Sequence, residues 1–119
     1  MRVTLKKYED FKLILSSGTR KVLNNIVVCY LSKQSFSQKM LLKSQKRHKD
    51  YELKDLVFGI LTSKKMGKAH ERNRFKRVVR ASLDSCKINA NFCYVIMPNL
   101  KPRSTGSIAG DVSYMAKKI

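Results

Sequence analysis

The sequence predicts an α+β domain in which a small sheet is packed with helices. Three short runs, 26–31, 56–63 and 92–97, are rich in β-branched and aromatic residues and read as strands. Three others, 8–18, 69–85 and 104–119, carry apolar side chains at helical spacing. At 119 residues and 43% hydrophobic, the chain suits a single domain with a modest core. The expected order is helix, strand, long loop, strand, helix, strand, helix (α-β-β-α-β-α).

The first helix is expected over 8–18, with Phe11, Ile14 and Leu15 on one side. Glu9 and Asp10 sit where the helix dipole favours anions, and Gly18 is a natural stop. From spacing alone, Phe11 and Leu15 read as core. Residues 19–25 read as a connection or an irregular strand, turned by Asn24 and Asn25. Then comes the strand Ile26-Val27-Val28-Cys29-Tyr30-Leu31. Residues 32–55 hold seven Lys or Arg against three acids and little apolar content beyond Met40, Leu41 and Leu42. They read as a long basic loop, with at most a helical turn near Met40; phosphate binding and solubilising disorder are both open for it.

The second strand, Leu56 to Ser63, contains Gly59, which suggests close approach by another group. Gly67 eases the turn that follows. The helix over 69–85 places Phe75, Val78, Val79, Leu83 and Cys86 on one side. Asn73, Arg74, Lys76, Arg77 and Arg80 cover the other, with Arg72 at the border. The third strand ends at Pro98, Lys101-Pro102-Arg103 forms an exposed basic turn, and Ile108, Val112, Met115 and Ala116 mark the last helix.

Charge bounds the partner. There are 26 basic residues against 8 acids, a formal net charge of +18. Solvated faces normally mix both signs, so this excess points to a polyanion, nucleic acid first and an anionic membrane surface second. The stretch from Lys64 to Arg80 concentrates it: eight basic residues and one acid, Glu71, in seventeen residues. No membrane-spanning run and no signal-peptide core is present, which argues for a cytoplasmic protein. Cys29, Cys86 and Cys93 match no metal or disulfide pattern and read as reduced, buried or semi-buried thiols. No phosphate loop, nucleophile elbow or carboxylate couple is present. His70, beside Glu71, reads as a surface or phosphate-contacting residue, so no catalytic residue is assigned. Duplex-DNA motifs are missing, and a broad positive helix beside a sheet suits RNA.

The residues then narrow the class. Ser63-Lys64-Lys65-Met66-Gly67-Lys68-Ala69, followed by Arg72-Asn73-Arg74-Phe75-Lys76-Arg77-Val78-Val79-Arg80, resembles the signature of the protein subunit of bacterial ribonuclease P: an S-K-K-x-G-x-A turn and a helix with R-N-R-x-K-R-x-x-R. Leu5-Lys6-Lys7-Tyr8-Glu9-Asp10-Phe11 and Gly18-Thr19 resemble the family's opening helix.

The resemblance implies a ribosomal protein S5 domain 2-like fold with a left-handed β-α-β crossover around the basic helix. It implies the accessory subunit of an RNA-based endoribonuclease that removes the 5′ leader of precursor tRNA. The RNA subunit, with bound Mg²⁺, would do the chemistry. Lys68, Arg72, Asn73, Arg74, Lys76, Arg77 and Arg80 would bind the catalytic RNA. Phe11, Leu15, Val27, Cys29, Lys64 and Lys65 would bind the leader. The implied partners are RNase P RNA and precursor tRNA, with no membrane and no evident protein partner. The family often has an aromatic where this chain has Leu15 and Cys29; Tyr30 lies one place away and faces oppositely on a regular strand. A non-catalytic ribosomal protein or assembly factor is the main alternative, since it would share the charge and build.

Overall fold

The computed structural model describes residues 2–5, 8–43, 56–100 and 107–119. In chain order these form β1 (Arg2–Thr4), α1 (Tyr8–Ser17), β2 (Thr19–Val22), β3 (Ile26–Ser32), α2 (Lys33–Lys43) and β4 (Leu56–Ile60). A 3₁₀ turn (Lys64–Met66), α3 (Ala69–Ser85), β5 (Phe92–Pro98) and α4 (Ile108–Lys118) follow. The strands form one five-stranded sheet in the order β1-β4-β5-β3-β2. The expected α+β class, a small sheet packed with helices, is what the chain adopts.

Two elements differ from the sequence expectation, and a third takes one of the readings left open for it. Lys33–Lys43 is an eleven-residue helix where a long loop was expected over 32–55. Lysine and glutamine are good helix formers, and the buried Phe36 anchors this weakly amphipathic segment. The rest of that loop, 44–55, and the turn at 101–103 lie outside the described residues. Residues 19–25, read as a connection or an irregular strand, contain the strand β2, which a three-residue link joins to β3, so the two run antiparallel. The N-terminus adds β1, parallel to β4 with Val3 opposite Val57; three residues are too few to show a period in sequence.

Contacts divide the chain into two compact units. The first gathers the described residues of Met1–Arg20, Cys29–Gly59 and Ala90–Val95. Here α1 packs on α2. The buried side of α1 is Asp10, Leu13 and Ile14, whereas Phe11 is half-buried and Leu15 is 39% exposed. The expected Phe11–Ile14–Leu15 core stripe is thus rotated toward Leu13. Gly18 ends the helix where a Cβ would stand 2.5 Å from the Ile14 carbonyl oxygen and 2.6 Å from that of Tyr30. Only glycine fits between two backbones that close. Tyr30, Phe92 and Tyr94 form an aromatic cluster, with Tyr30 edge-on to Phe92 at 5.4 Å.

The second unit gathers Lys21–Val28, Ile60–Asn89 and the described residues of Ile96–Ile119. Here α3 packs on α4. Phe75, Val79 and Leu83 of α3 and Val112 and Met115 of α4 are buried. Ser107 caps α4 by accepting from the Gly110 N–H at 3.0 Å, an arrangement typically worth about 1 kcal/mol.

Cys93, in the first unit, gives the fold an alkaline limit. Burial pushes its thiol from 9.0 up to about 12; the Lys33 ammonium opposes the rise and the Asp10 carboxylate adds to it. Above pH 9.0 the unfolded thiol loses its proton while the folded one keeps it, so stability falls as pH rises toward about 12. The loss approaches about 1.4 kcal/mol per pH unit for this one group. Cys29 and Tyr94 are also raised, chiefly by burial, and act in the same direction. Urea unfolding from pH 8 to 10.5 is expected to show a shallower decline in Cys93→Val than in the parent chain. Parallel declines would refute the assignment.

Candidate nucleic-acid interface

Helix α3 has its cations on one side because the other side is taken by the core. Phe75, Val79 and Leu83 recur at four-residue steps and are buried. Ser82 is buried with them, and its hydroxyl donates to the Val78 carbonyl at 2.8 Å. Asn73, Arg74, Arg77 and Arg80 are therefore exposed, while Arg72 and Lys76 are half-buried at the borders. Lys68, at the N-cap, is exposed and makes no side-chain cap hydrogen bond.

The carboxylate of Glu71 lies over the turn before α3. Gly67 has φ 135°, a region that disfavours any side chain, and a Cβ there would collide with the Glu71 carboxylate. Glu71 therefore folds back over the turn from the first turn of α3, where the helix dipole favours an anion. The Gly67 N–H donates to the Lys64 carbonyl at 3.2 Å, closing the 3₁₀ turn that leaves Lys64 and Lys65 exposed. His70 is exposed, its Nε2 4.0 Å from Glu71 Oε1.

Lys64, Lys65, Lys68 and all the α3 residues named from sequence thus fall within the second unit, on one continuous turn and helix. The remaining four are divided. Phe11, Leu15 and Cys29 belong to the first unit and Val27 to the second. In the first, the Phe11 ring lies against Gly59 of β4, which is the close approach that this glycine signalled. Leu15 presents side chain to solvent, but Cys29 is buried, as is Val27. The neighbour Tyr30 is engaged in the aromatic cluster on the opposite strand face from Cys29. It does not replace an aromatic at Cys29.

A sequence model of the family Ribonuclease P matches residues 1–118. The chain belongs to the ribonuclease P family. Among relatives, the ribonuclease P protein component of Macrococcus caseolyticus is 29% identical over 116 residues, covering 95% of this chain and 86% of that protein. The ribonuclease P protein component of Chlamydia muridarum is 49% identical over 39 residues. That match covers 33% of this chain and 33% of the relative, so the chain aligns with about a third of the length of such chlamydial proteins. Among solved structures, the RNase P protein of Staphylococcus aureus superposes with a TM-score of 0.61 at 19% identity, over 96% of this chain and 88% of that one. At that identity the likeness speaks for the fold.

Within the family frame, sequence reasoning passed over Val22 and Tyr114, two large side chains left about half exposed. A signal for one existed: Tyr114 is an aromatic off the Ile108–Val112–Met115 stripe of α4. Among the described residues, no helix is long and apolar enough to cross a membrane.

Proposed function

We propose that this chain is the protein subunit of a ribonuclease P ribonucleoprotein, in which an RNA subunit cleaves the 5′ leader from precursor tRNA. The observation that carries the reading is the exposed Asn73, Arg74, Arg77 and Arg80 face of a helix pinned by Phe75, Val79 and Leu83, within a family-wide match. That face, with Lys68, Arg72 and Lys76, binds the phosphates of RNase P RNA. Phosphate contacts supply affinity and orientation without reading sequence, which suits a structural RNA partner.

Lys64 and Lys65 contact leader phosphates. Phe11 and Leu15 give the leader sequence-tolerant apolar contact. Val27 and Cys29, being buried, support the strand beneath rather than touch RNA. Among the described residues, no three His, Cys, Asp or Glu side chains are grouped to hold a metal. In this reading the Mg²⁺ belongs to the RNA, where it would supply the hydrolytic chemistry. The protein neutralises RNA phosphates, and its stimulation is greatest when Mg²⁺ is scarce.

Reconstitution tests this. Mixed with the matching RNase P RNA, the chain is expected to stimulate precursor tRNA cleavage at low Mg²⁺ and to stimulate less at high Mg²⁺. No stimulation at any Mg²⁺ concentration would reject the reading. Co-sedimentation with ribosomal subunits without stimulation would favour a ribosomal role instead.

A further inference from the structure

In the second unit, the β2–β3 turn and the first turns of α4 form the walls of an open groove of about 400 Å³. Val22, Leu23 and Asn24 line one side; Gly110, Asp111 and Tyr114 line the other. That volume lies in the range of small-ligand sites, roughly 300–1,000 Å³.

The walls are fixed in advance. The Asn25 N–H donates to Asp111 Oδ2 at 2.5 Å. The Asn99 side-chain amide donates to the Leu23 carbonyl at 2.8 Å and to that of Asn24 at 3.3 Å. The Ser107 cap holds the start of α4. A groove held this way loses little freedom when it is filled.

Its surface is apolar where a flat ring would lie. Val22 is 53% exposed and Tyr114 50%, one on each wall. Gly110 keeps the space open. A Cβ there would stand 3.2 Å from the Ser107 hydroxyl that caps the helix, and would press on that cap as well as on the groove.

The charge around the groove is positive. Lys118 Nζ lies 6.0 Å from the Tyr114 ring centroid, and Lys117 precedes it on α4. The one acid in the lining, Asp111, is buried and bonded to Asn25. An aromatic shelf with a lysine beside it suits a base and its phosphate better than an apolar protein segment.

We propose that this groove takes an unpaired nucleotide of single-stranded RNA, with the base stacked on Tyr114 beside Val22 and the phosphate held by Lys118. The site shares no residue with the α3 face or with the residues given to the leader. It rests on RNA binding by this chain but not on which RNA is processed.

The probe is a fluorescein-labelled hexa-adenylate, its affinity read by anisotropy, with a 5-iodouridine hexamer for photo-cross-linking. Tyr114→Leu is expected to weaken the hexamer about fivefold or more. Tyr114→Phe should bind as the parent chain does. Gly110→Ala should weaken binding by narrowing the groove, with its melting temperature measured beside it to register any loss of the Ser107 cap. The cross-link should map to Tyr114 and persist when Arg74 and Arg77 are both replaced by Ala.

Unchanged affinity in Tyr114→Leu and Gly110→Ala, or adducts only elsewhere, would overturn the proposal; unchanged affinity is also the outcome if the groove receives a protein. Cleavage in the reconstituted enzyme is scored separately. Full stimulation with a silent groove leaves the subunit assignment standing, and a cross-link without stimulation leaves the groove standing.

Discussion

Arg74→Ala combined with Arg77→Ala is expected to lower affinity for RNase P RNA by about 25- to 60-fold near 0.1 M salt. Both arginines are exposed and three positions apart on α3, so they project from neighbouring points of the helix surface. Each phosphate contact contributes about 0.7–0.9 to the log–log salt slope, so losing two flattens it by about 1.4–1.8. If the non-electrostatic part is unchanged when extrapolated to about 1 M salt, that slope change gives the stated loss at about 0.1 M. Stability should stay within about 0.5 kcal/mol, because neither side chain is part of the core. A salt titration of binding, run beside a thermal melt, checks both halves. An unchanged slope would make these residues solvated bystanders and remove the basis for placing RNA on this face.

Gly59→Ala should be the most disruptive single change near the proposed leader contact. A Cβ at this position would enter the Phe11 ring, with Cζ at 2.6 Å and the Leu5 Cβ at 3.1 Å. The Leu5 N–H donates to the Phe58 carbonyl at 2.8 Å, so Leu5 has little room to retreat. The ring must therefore leave β4, and overpacking of this kind costs about 1–3 kcal/mol. For a domain of this size that is a fall in melting temperature of roughly 4–15 °C. Phe11→Leu in the same chain should recover part of the loss, since a smaller side chain clears the new methyl. Precursor tRNA binding should weaken more than mature tRNA binding in the Gly59→Ala protein, because Phe11 is displaced. A melting temperature within a degree of the parent would mean that the ring does not rest on Gly59.

Much of this molecule could be read from its residues. The bounds expected for α3 coincide with Ala69–Ser85, because amphipathic spacing, a flanking glycine and a basic face all agree over five turns. The central strands β3, β4 and β5 were legible for a similar reason: buried runs of Val, Ile, Phe and Tyr have few other uses. Where the signals were weak, the reading failed. Lys33–Lys43 looked like a loop because its polar residues outnumber its apolar ones, and one buried Phe36 is a small periodic signal. The rotation of α1 toward Leu13 was hidden because Phe11, Leu13, Ile14 and Leu15 are all apolar. Such a cluster fits more than one helical face, and packing on α2 and the sheet chooses among them.

By itself, the sequence determined the class of partner and the family. Net charge and the spacing of Lys64, Lys65, Arg72, Asn73, Arg74, Lys76, Arg77 and Arg80 are properties of the chain that folding does not alter. Only the tertiary structure decided which side chains remain available. Val27 and Cys29 disappear into the core, Tyr30 turns into an aromatic cluster, and Leu15 and Tyr114 stay in solvent. Exposure depends on residues distant in sequence that arrive to cover a side chain, and no local pattern encodes that arrival. The Tyr114 groove has the same origin: Val22 and Tyr114 are ninety-two positions apart in the chain, and the hydrogen bond from Asn25 to Asp111 ties their walls together.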